Sequence, residues 1–323
     1  MTKSNKKFRV AKRHSDTAWH PDSEQCYAAI DIGSNGVRLL LSKVITTGEY
    51  CVFAKESLVR MPIRLGADAF SQQSISKELE EQFVSSMMGF SSLIKAYGPI
   101  DYRACATSAM REAENGAEIA ERVFTETGLK LEIIDGGQEA EIIFSSHIAE
   151  TLNPKHGYLY IDVGGGSTEL TLFSKNQRVA SKSFPVGTVR MLNKQVTKSS
   201  WKEMKQWVKE YAPTDSRLHA IGSGGNMNKI FRLAGREIDE PVKYKQLVKI
   251  DDMLNTYSIE ERIRLLHLRP DRADVIIQAS KIFRSILKWG KIKRIYVPQF
   301  GLADGLVHMM HDEYVSKLNS KAD

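Results

Sequence analysis

Tyr158-Leu-Tyr-Ile-Asp-Val-Gly-Gly-Gly-Ser-Thr-Glu169 begins as a buried-strand pattern and ends in an acid, three glycines, two hydroxyls and a second acid. An Asp at the end of a strand is placed to hold a divalent metal or orient a water. Glycines directly after it let backbone N–H groups approach an anion with no Cβ in the way. Ser167 and Thr168 add hydroxyl donors, and Glu169 returns a second carboxylate. The stretch reads as a metal–phosphate site. A weaker copy, Ala29-Ile-Asp-Ile-Gly-Ser-Asn-Gly-Val-Arg38, lies earlier. Two copies of one phosphate loop predict two related domains facing each other across a cleft.

The chain of 323 residues has room for two domains of ordinary size. It is 42% hydrophobic and 26% charged, a soluble globular composition. No apolar run approaches the roughly 18 residues of a membrane span, and no secretory h-region lies near the N-terminus. Cys26, Cys51 and Cys105 are scattered and outside any CxxC pattern, so they read as buried free thiols of a reducing, cytoplasmic compartment. A net charge of +7 favours a polyanionic partner without choosing among nucleic acid, nucleotide and polyphosphate. Residues 1–26, basic and without apolar periodicity, are expected to form a flexible tail.

Strand 27–32, a turn at Gly33–Gly36 and a returning strand 37–44 form the first predicted hairpin, with a third strand over 50–59. Ser71 or Ser74 is the expected cap of a long helix bearing Leu79, Phe83, Met87, Phe90 and Ile94 at helical spacing. A strand over 102–106 runs into Thr107-Ser-Ala-Met-Arg111, where hydroxyls and an Arg at a helix start suit an anion. Asp135-Gly-Gly-Gln-Glu139 opens a helix expected to reach Leu152, and Asn153-Pro-Lys-His-Gly157 reads as a domain boundary. The second half repeats the first: strands 158–163, 168–174 and 178–184, then helices, a strand 218–221 ending in Gly222-Ser-Gly-Gly-Asn226, a helix 271–289, a strand 292–297, and a last helix 301–314 fraying beyond Ser316.

Hairpin meanders followed by βα units, twice over, predict an α/β protein of two mixed-sheet domains, 27–153 and 154–303, with a C-terminal helix in 304–323 free to return to the first. Strand–turn–strand is not the strand–turn–helix of a Walker or Rossmann loop, and neither motif occurs. Ligand is then expected between the domains, at the strand ends.

Ala29 to Gly36, Ala106-Thr-Ser-Ala-Met-Arg111, Gly137-Gln-Glu-Ala140 and Ile161 to Glu169 together resemble the exopolyphosphatase / guanosine pentaphosphate phosphatase (Ppx/GppA) family, in its order and spacing, over about residues 27–310. The resemblance implies two actin-like (ribonuclease H-like) domains with mixed sheets flanked by helices and an active site in the interdomain cleft. It implies Asp31, Gly33, Ser34 and Asn35 as the first phosphate loop, and Gly164, Gly165, Gly166, Ser167 and Thr168 as the second. It makes Asp162 and Glu169 the carboxylates that hold Mg²⁺ or another divalent cation, Glu139 the catalytic base, and Arg111 a phosphate contact. Pro185-Val-Gly-Thr-Val-Arg190 resembles the family segment after the second loop. A homodimer is also implied, though longer members carry a helical C-terminal region for which there is no room here. Gly224-Gly225-Asn226, Ile277-Gln278-Ala279 and Ala303 depart from the family pattern, and all bear on nucleotide recognition more than on phosphoryl chemistry.

Other chemistry is less well founded. His308 and His311 read as a surface pair, and no GxSxG or HExxH motif exists. Lys198, Lys202, Lys205 and Lys209 with Trp201 and Trp207 read as a solvated basic helix face over two buried rings, not a specific nucleic-acid site. The expected activity is release of orthophosphate from the end of inorganic polyphosphate. The 5′-γ-phosphate of guanosine pentaphosphate (pppGpp) is the rival substrate. A kinase of the same superfamily and a non-catalytic polyphosphate or alarmone binder are the rival classes. Glu139 and the intact carboxylate set favour hydrolysis, and no membrane partner is expected.

Overall fold

The computed structural model describes residues 23–320 apart from 49, 146–155, 176, 213–217, 238–239 and 299. Residues 1–22 of the basic tail, the end of the helix expected to reach Leu152, and Asn153 to Lys155 lie outside the described residues, whereas residues 23–26, expected in the tail, are paired with the next strand and begin the first sheet. β1 (Ser23–Gly33), β2 (Gly36–Thr47) and β3 (Tyr50–Met61) form an antiparallel meander. After α1 (Leu65–Gln72) and α2 (Lys77–Tyr97), β4 (Asp101–Ala106) runs parallel to β1. Then follow α3 (Ser108–Glu112), α4 (Gly116–Thr127), β5 (Glu132–Ile133) and α5 (Gly136–Ser145).

The second half starts with the meander β6 (Gly157–Val163), β7 (Thr168–Ser174) and β8 (Gln177–Phe184). It continues through α6 (Thr188–Leu192), α7 (Lys198–Tyr211), β9 (Leu218–Ser223), α8 (Gly225–Leu233) and β10 (Val242–Lys243). α9 (Tyr244–Thr256), α10 (Ile259–Arg264), α11 (Pro270–Ala273), α12 (Ile276–Trp289), β11 (Arg294–Tyr296) and α13 (Leu302–Asn319) complete it.

The two sheets run β3-β2-β1-β4-β5 and β10-β11-β9-β6-β7-β8. Without β10, the second is the first repeated strand for strand, with the same parallel and antiparallel pairings. Central strands must be apolar on both faces where helices cover both. Tyr27 to Ile30 in β1 accordingly carry no exposed surface, whereas the edge strand β3 leaves Tyr50, Val52 and Leu58 outside. Tyr27 and Ala29 of β1 share one apolar cluster with Tyr158 and Tyr160 of β6 and with Leu302, Leu306 and Met310 of α13. α13 thus lies against the first sheet and α5. A Cβ at Gly305 would stand 2.3 Å from the Ile142 carbonyl oxygen, so only glycine lets these helices approach.

Several local expectations are corrected. α1 intervenes before the long helix, so Ser76, not Ser71 or Ser74, occupies the N-cap of α2. The helix expected over 271–289 is two, α11 and α12. The last helix runs to Asn319, past Ser316. Docking of α13 buries His308 and His311, so they are not a surface pair: His308 stacks on Phe53 at 3.6 Å, and His311 Nδ1 lies 3.4 Å from the Tyr27 hydroxyl. Cys105 is buried, but Cys26 is half-buried and Cys51 exposed. Trp207 is buried and Trp201 half-buried, under four exposed lysines. Among the described residues, no helix is long and apolar enough to cross a membrane.

Candidate active site

Each hairpin turns at the carboxyl end of a central strand. The first needs only Ser34 and Asn35, because Gly33 and Gly36 are register partners. Its atoms are committed on several sides. Ser34 Oγ lies 2.8 Å from Ser108 Oγ, the Ser34 carbonyl accepts from Gly66 N at 2.9 Å, and Asn35 Nδ2 donates to the Asp271 carbonyl at 2.9 Å. The loop is therefore held by both halves of the chain.

In the second loop, the carbonyls of Gly164, Gly165 and Gly166 accept from Thr188 N at 3.0 Å, Val189 N at 2.8 Å and Arg190 Nε at 2.9 Å. A trans peptide points its N–H opposite its C=O. The N–H groups of Gly165, Gly166 and Ser167 therefore point away from α6. Gly164, Gly165 and Ser167 line a cavity of about 110 Å³ together with Gly33, Ser34 and Asn35 of the first loop. Thr168 is spent otherwise: it is fully buried and donates to the Val186 carbonyl at 2.5 Å. Gly166 lies beneath the Phe70 ring rather than on the cavity wall, and a Cβ there would stand 2.1 Å from Phe70 Cζ.

Four carboxylates meet at the same cavity: Asp31, Glu139, Asp162 and Glu169. Asp162, Glu169 and Ser183 are register partners across β6, β7 and β8, and so share one sheet face. Glu169 Oε1 accepts from Ser167 Oγ at 2.5 Å and Ser183 Oγ at 2.9 Å. Glu139 sits in the first turn of α5, whose leading amides on Gly137 and Gln138 are capped by Asp135 Oδ1 at 2.7 and 2.9 Å. Burial raises the pKa of Glu139 well above the ordinary glutamate value, and the charges of Glu169, Asp162 and Asp31 add to it. Burial likewise lifts Glu169 to about 7 and Asp162 to about 6, with neighbouring carboxylates adding to each. Arg111 opposes the shifts of Glu139 and Glu169. Its guanidinium is anchored by a 2.6 Å bond to the Ile134 carbonyl, set back behind the carboxylates.

The other wall is basic, and sequence reasoning passed over most of it. Arg38 stands opposite Asp31 in the hairpin register and donates to it at 2.9 Å. Arg60 donates to the Asn35 carbonyl at 2.8 Å and pairs with Asp271. Burial, with Arg38 and Arg60 close by, lowers Arg272 to about 10. These three guanidiniums line both the first cavity and an adjoining one of about 400 Å³, which adds Lys55, Lys229, Arg232 and Arg269. Gly224, at φ +90° between Asp162 and the basic wall, occupies the left-handed region that favours glycine. Arg38 had a signal in its register with Asp31. Arg60 and Arg272 come from an edge strand and a short helix outside any motif, and nothing local marked them.

The donor set fits a hard divalent cation. Asp162 and Glu169 are adjacent-strand carboxylates on one face, all-oxygen donors held among like charges. Mg²⁺ is commonly bound by one or two carboxylates, with waters and substrate phosphates filling its octahedron. Among the described residues, no cluster of three or more His, Cys, Asp and Glu forms a cage that would hold a cation by itself. The two carboxylates therefore fit a cation shared with a phosphate ligand.

Twin hairpin loops, each ending a central strand of one of two like sheets, close on one pocket of carboxylates and arginines and define an α/β protein built as a repeat. The chain belongs to the Ppx/GppA phosphatase family, whose model matches residues 47–313. It is 31% identical over 292 residues to a bifunctional 3-dehydroquinate synthase/phosphatase of Fusobacterium nucleatum, covering 81% of this chain and 43% of that protein. It is 25% identical over 304 residues to a guanosine-5′-triphosphate,3′-diphosphate pyrophosphatase of Vibrio parahaemolyticus, covering 90% of this chain and 60% of that one. The chain thus spans about half the length of these curated relatives. Its fold is shared with an exopolyphosphatase from Cytophaga hutchinsonii (TM-score 0.77, 20% identity, 90% of this chain and 98% of that one). The Aquifex aeolicus family member superposes at TM-score 0.72 with 23% identity over 90% of this chain and 99% of that one.

Proposed function

We propose that the chain is a divalent-cation-dependent phosphoanhydride hydrolase that removes the terminal phosphate of inorganic polyphosphate as orthophosphate. One observation carries this reading: four carboxylates and the second loop share a pocket with three arginines, and those arginines continue into an adjoining cavity lined by further basic side chains. The arrangement suits a chain of anions entering with its reacting end at the carboxylates.

Phosphoryl transfer asks little covalent work of the protein, so positioning and charge dominate. The amides of Gly165 and Ser167 would receive the terminal phosphate. Asp162 and Glu169 would hold the cation, which supplies charge neutralisation at the phosphate oxygens. Glu139, whose pKa is raised by burial and its acidic neighbours, would be the carboxylate that takes the proton from water. Water oxygen bonds to the terminal phosphorus, the bridging P–O bond breaks, the water's proton passes to Glu139, and the chain leaves one phosphate shorter.

A second reading keeps the chemistry and changes the substrate to pppGpp. The adjoining cavity favours it with Leu58, His267 and Phe300 among the basic residues, surfaces that suit a nucleobase. Phosphate release from long-chain polyphosphate and from pppGpp, with Mg²⁺ and with EDTA, tests both. Release from polyphosphate that EDTA abolishes is expected. Release from neither substrate would overturn the hydrolase reading.

A further inference from the structure

Arg190 joins the second loop to the first half of the chain, and the proposed reaction gives it no part. It lies in α6 with its side chain only 14% exposed. Three contacts hold it. Nε donates to the Gly166 carbonyl at 2.9 Å, Nη2 pairs with Glu112 at the end of α3, and the guanidinium lies 4.5 Å over the Phe70 ring of α1. That ring also packs on Gly166 so closely that a Cβ there has no space. Gln195 adds a 2.7 Å bond to the Phe70 carbonyl.

The Gly166 carbonyl belongs to the same peptide plane as the Ser167 N–H. Holding the oxygen on one side aims the N–H to the other, toward the cavity. The grip comes from a residue itself fixed by Glu112 and Phe70, both from the half that carries the first loop. The aim of the Ser167 amide is thus tied to the position of the opposite half.

We propose that Arg190 is a positioning residue: it orients the Gly166–Ser167 peptide for the terminal phosphate only when the two halves are docked through Glu112 and Phe70. This rests on the hydrolase reading above. A donor misplaced by about 1 Å costs on the order of 10²-fold in rate, so the effect belongs in kcat more than in KM.

The test is steady-state hydrolysis of polyphosphate by the full chain, at a temperature well below each variant's melting midpoint. Arg190→Ala and Arg190→Lys are both expected to lose roughly 10–100-fold in kcat, with KM moving less. Lysine keeps a charge for Glu112 but cannot reproduce the fork that also bonds the carbonyl. Glu112→Gln keeps the carbonyl bond and is expected to retain more of kcat than either. Guanidinium added to Arg190→Ala is expected to restore part of the lost rate. Arg190→Lys with wild-type kcat, or losses of kcat that only follow loss of folded protein, would overturn the proposal. Glu139→Gln separates the two ideas: if it is inactive while both Arg190 variants turn over normally, the hydrolase reading stands and the positioning role falls. A wild-type chain inert on every phosphoanhydride overturns both.

Discussion

Ser34 and Gly165 touch: a Cβ on Gly165 would stand only 2.8 Å from Ser34 Cβ, so the two hairpin loops meet with no room for a side chain on Gly165. Neither loop makes a pocket alone. Their contact brings the acidic end of β6 beside the end of β1.

Gly165→Ala should push those loops apart. Overpacking of this kind costs about 1–3 kcal/mol, and the misplaced amides should cut phosphate release by at least about tenfold. Gly89→Ala, on the exposed face of α2 with nothing within 4 Å of the added Cβ, should instead stabilise by about 0.5–1 kcal/mol. Urea midpoints and turnover of the two variants check this. Equal behaviour would mean that the loops are not in contact in solution.

Glu139→Gln should lower turnover by roughly 10²–10⁴ while polyphosphate binding persists. The amide keeps the size of the side chain and its place in the first turn of α5, but it cannot take the proton. Turnover within a few-fold of wild type would remove Glu139 as the base.

The fold and the acidic wall were legible because both rest on local patterns. Apolar strands closed by Gly33–Gly36 and Gly164–Ser167 fix two hairpins, and Asp162 and Glu169 fall opposite each other once the β6–β7 register is set. The basic wall was not legible. Arg60 reaches the site from β3 and Arg272 from α11, and only packing of α11 against the first loop, through Asn35 and Arg64, brings them together. The burial of His308 and His311 was missed although a return of the last helix to the first domain was allowed for, because no local pattern showed which of its faces docks. It depends on α13 returning to β1 and β2, a contact between the two ends of the described chain.

Arg272→Ala should weaken long polyphosphate more than it slows chemistry. Its half-buried guanidinium lines both cavities and keeps company with Arg38 and Arg60. KM should rise severalfold with kcat little changed, and the fall of affinity with salt should become shallower, as expected when a cation that displaces counterions is lost. An unchanged salt slope would place the substrate elsewhere.

Stability should fall with pH between the ordinary glutamate range and about 7 when no divalent cation is present. Glu169 is held at about 7 and Asp162 at about 6, first by burial and then by neighbouring carboxylates, and Glu139 is raised in the same way. Below the ordinary carboxylate range both folded and unfolded chains keep these protons, so the groups contribute no difference. Between that range and the raised values the unfolded chain has lost protons that the folded chain keeps. The slope of unfolding free energy with pH is then negative. Above about 7 Asp162 and Glu169 are both charged and their penalty is full. In EDTA, the urea midpoint of the wild type should therefore drop between pH 5 and pH 8 more than that of Glu169→Gln, which cannot ionise there. Mg²⁺ at pH 8 should recover more of the midpoint for the wild type than for the variant. Parallel pH curves for the two proteins would show that Glu169 does not carry this strain.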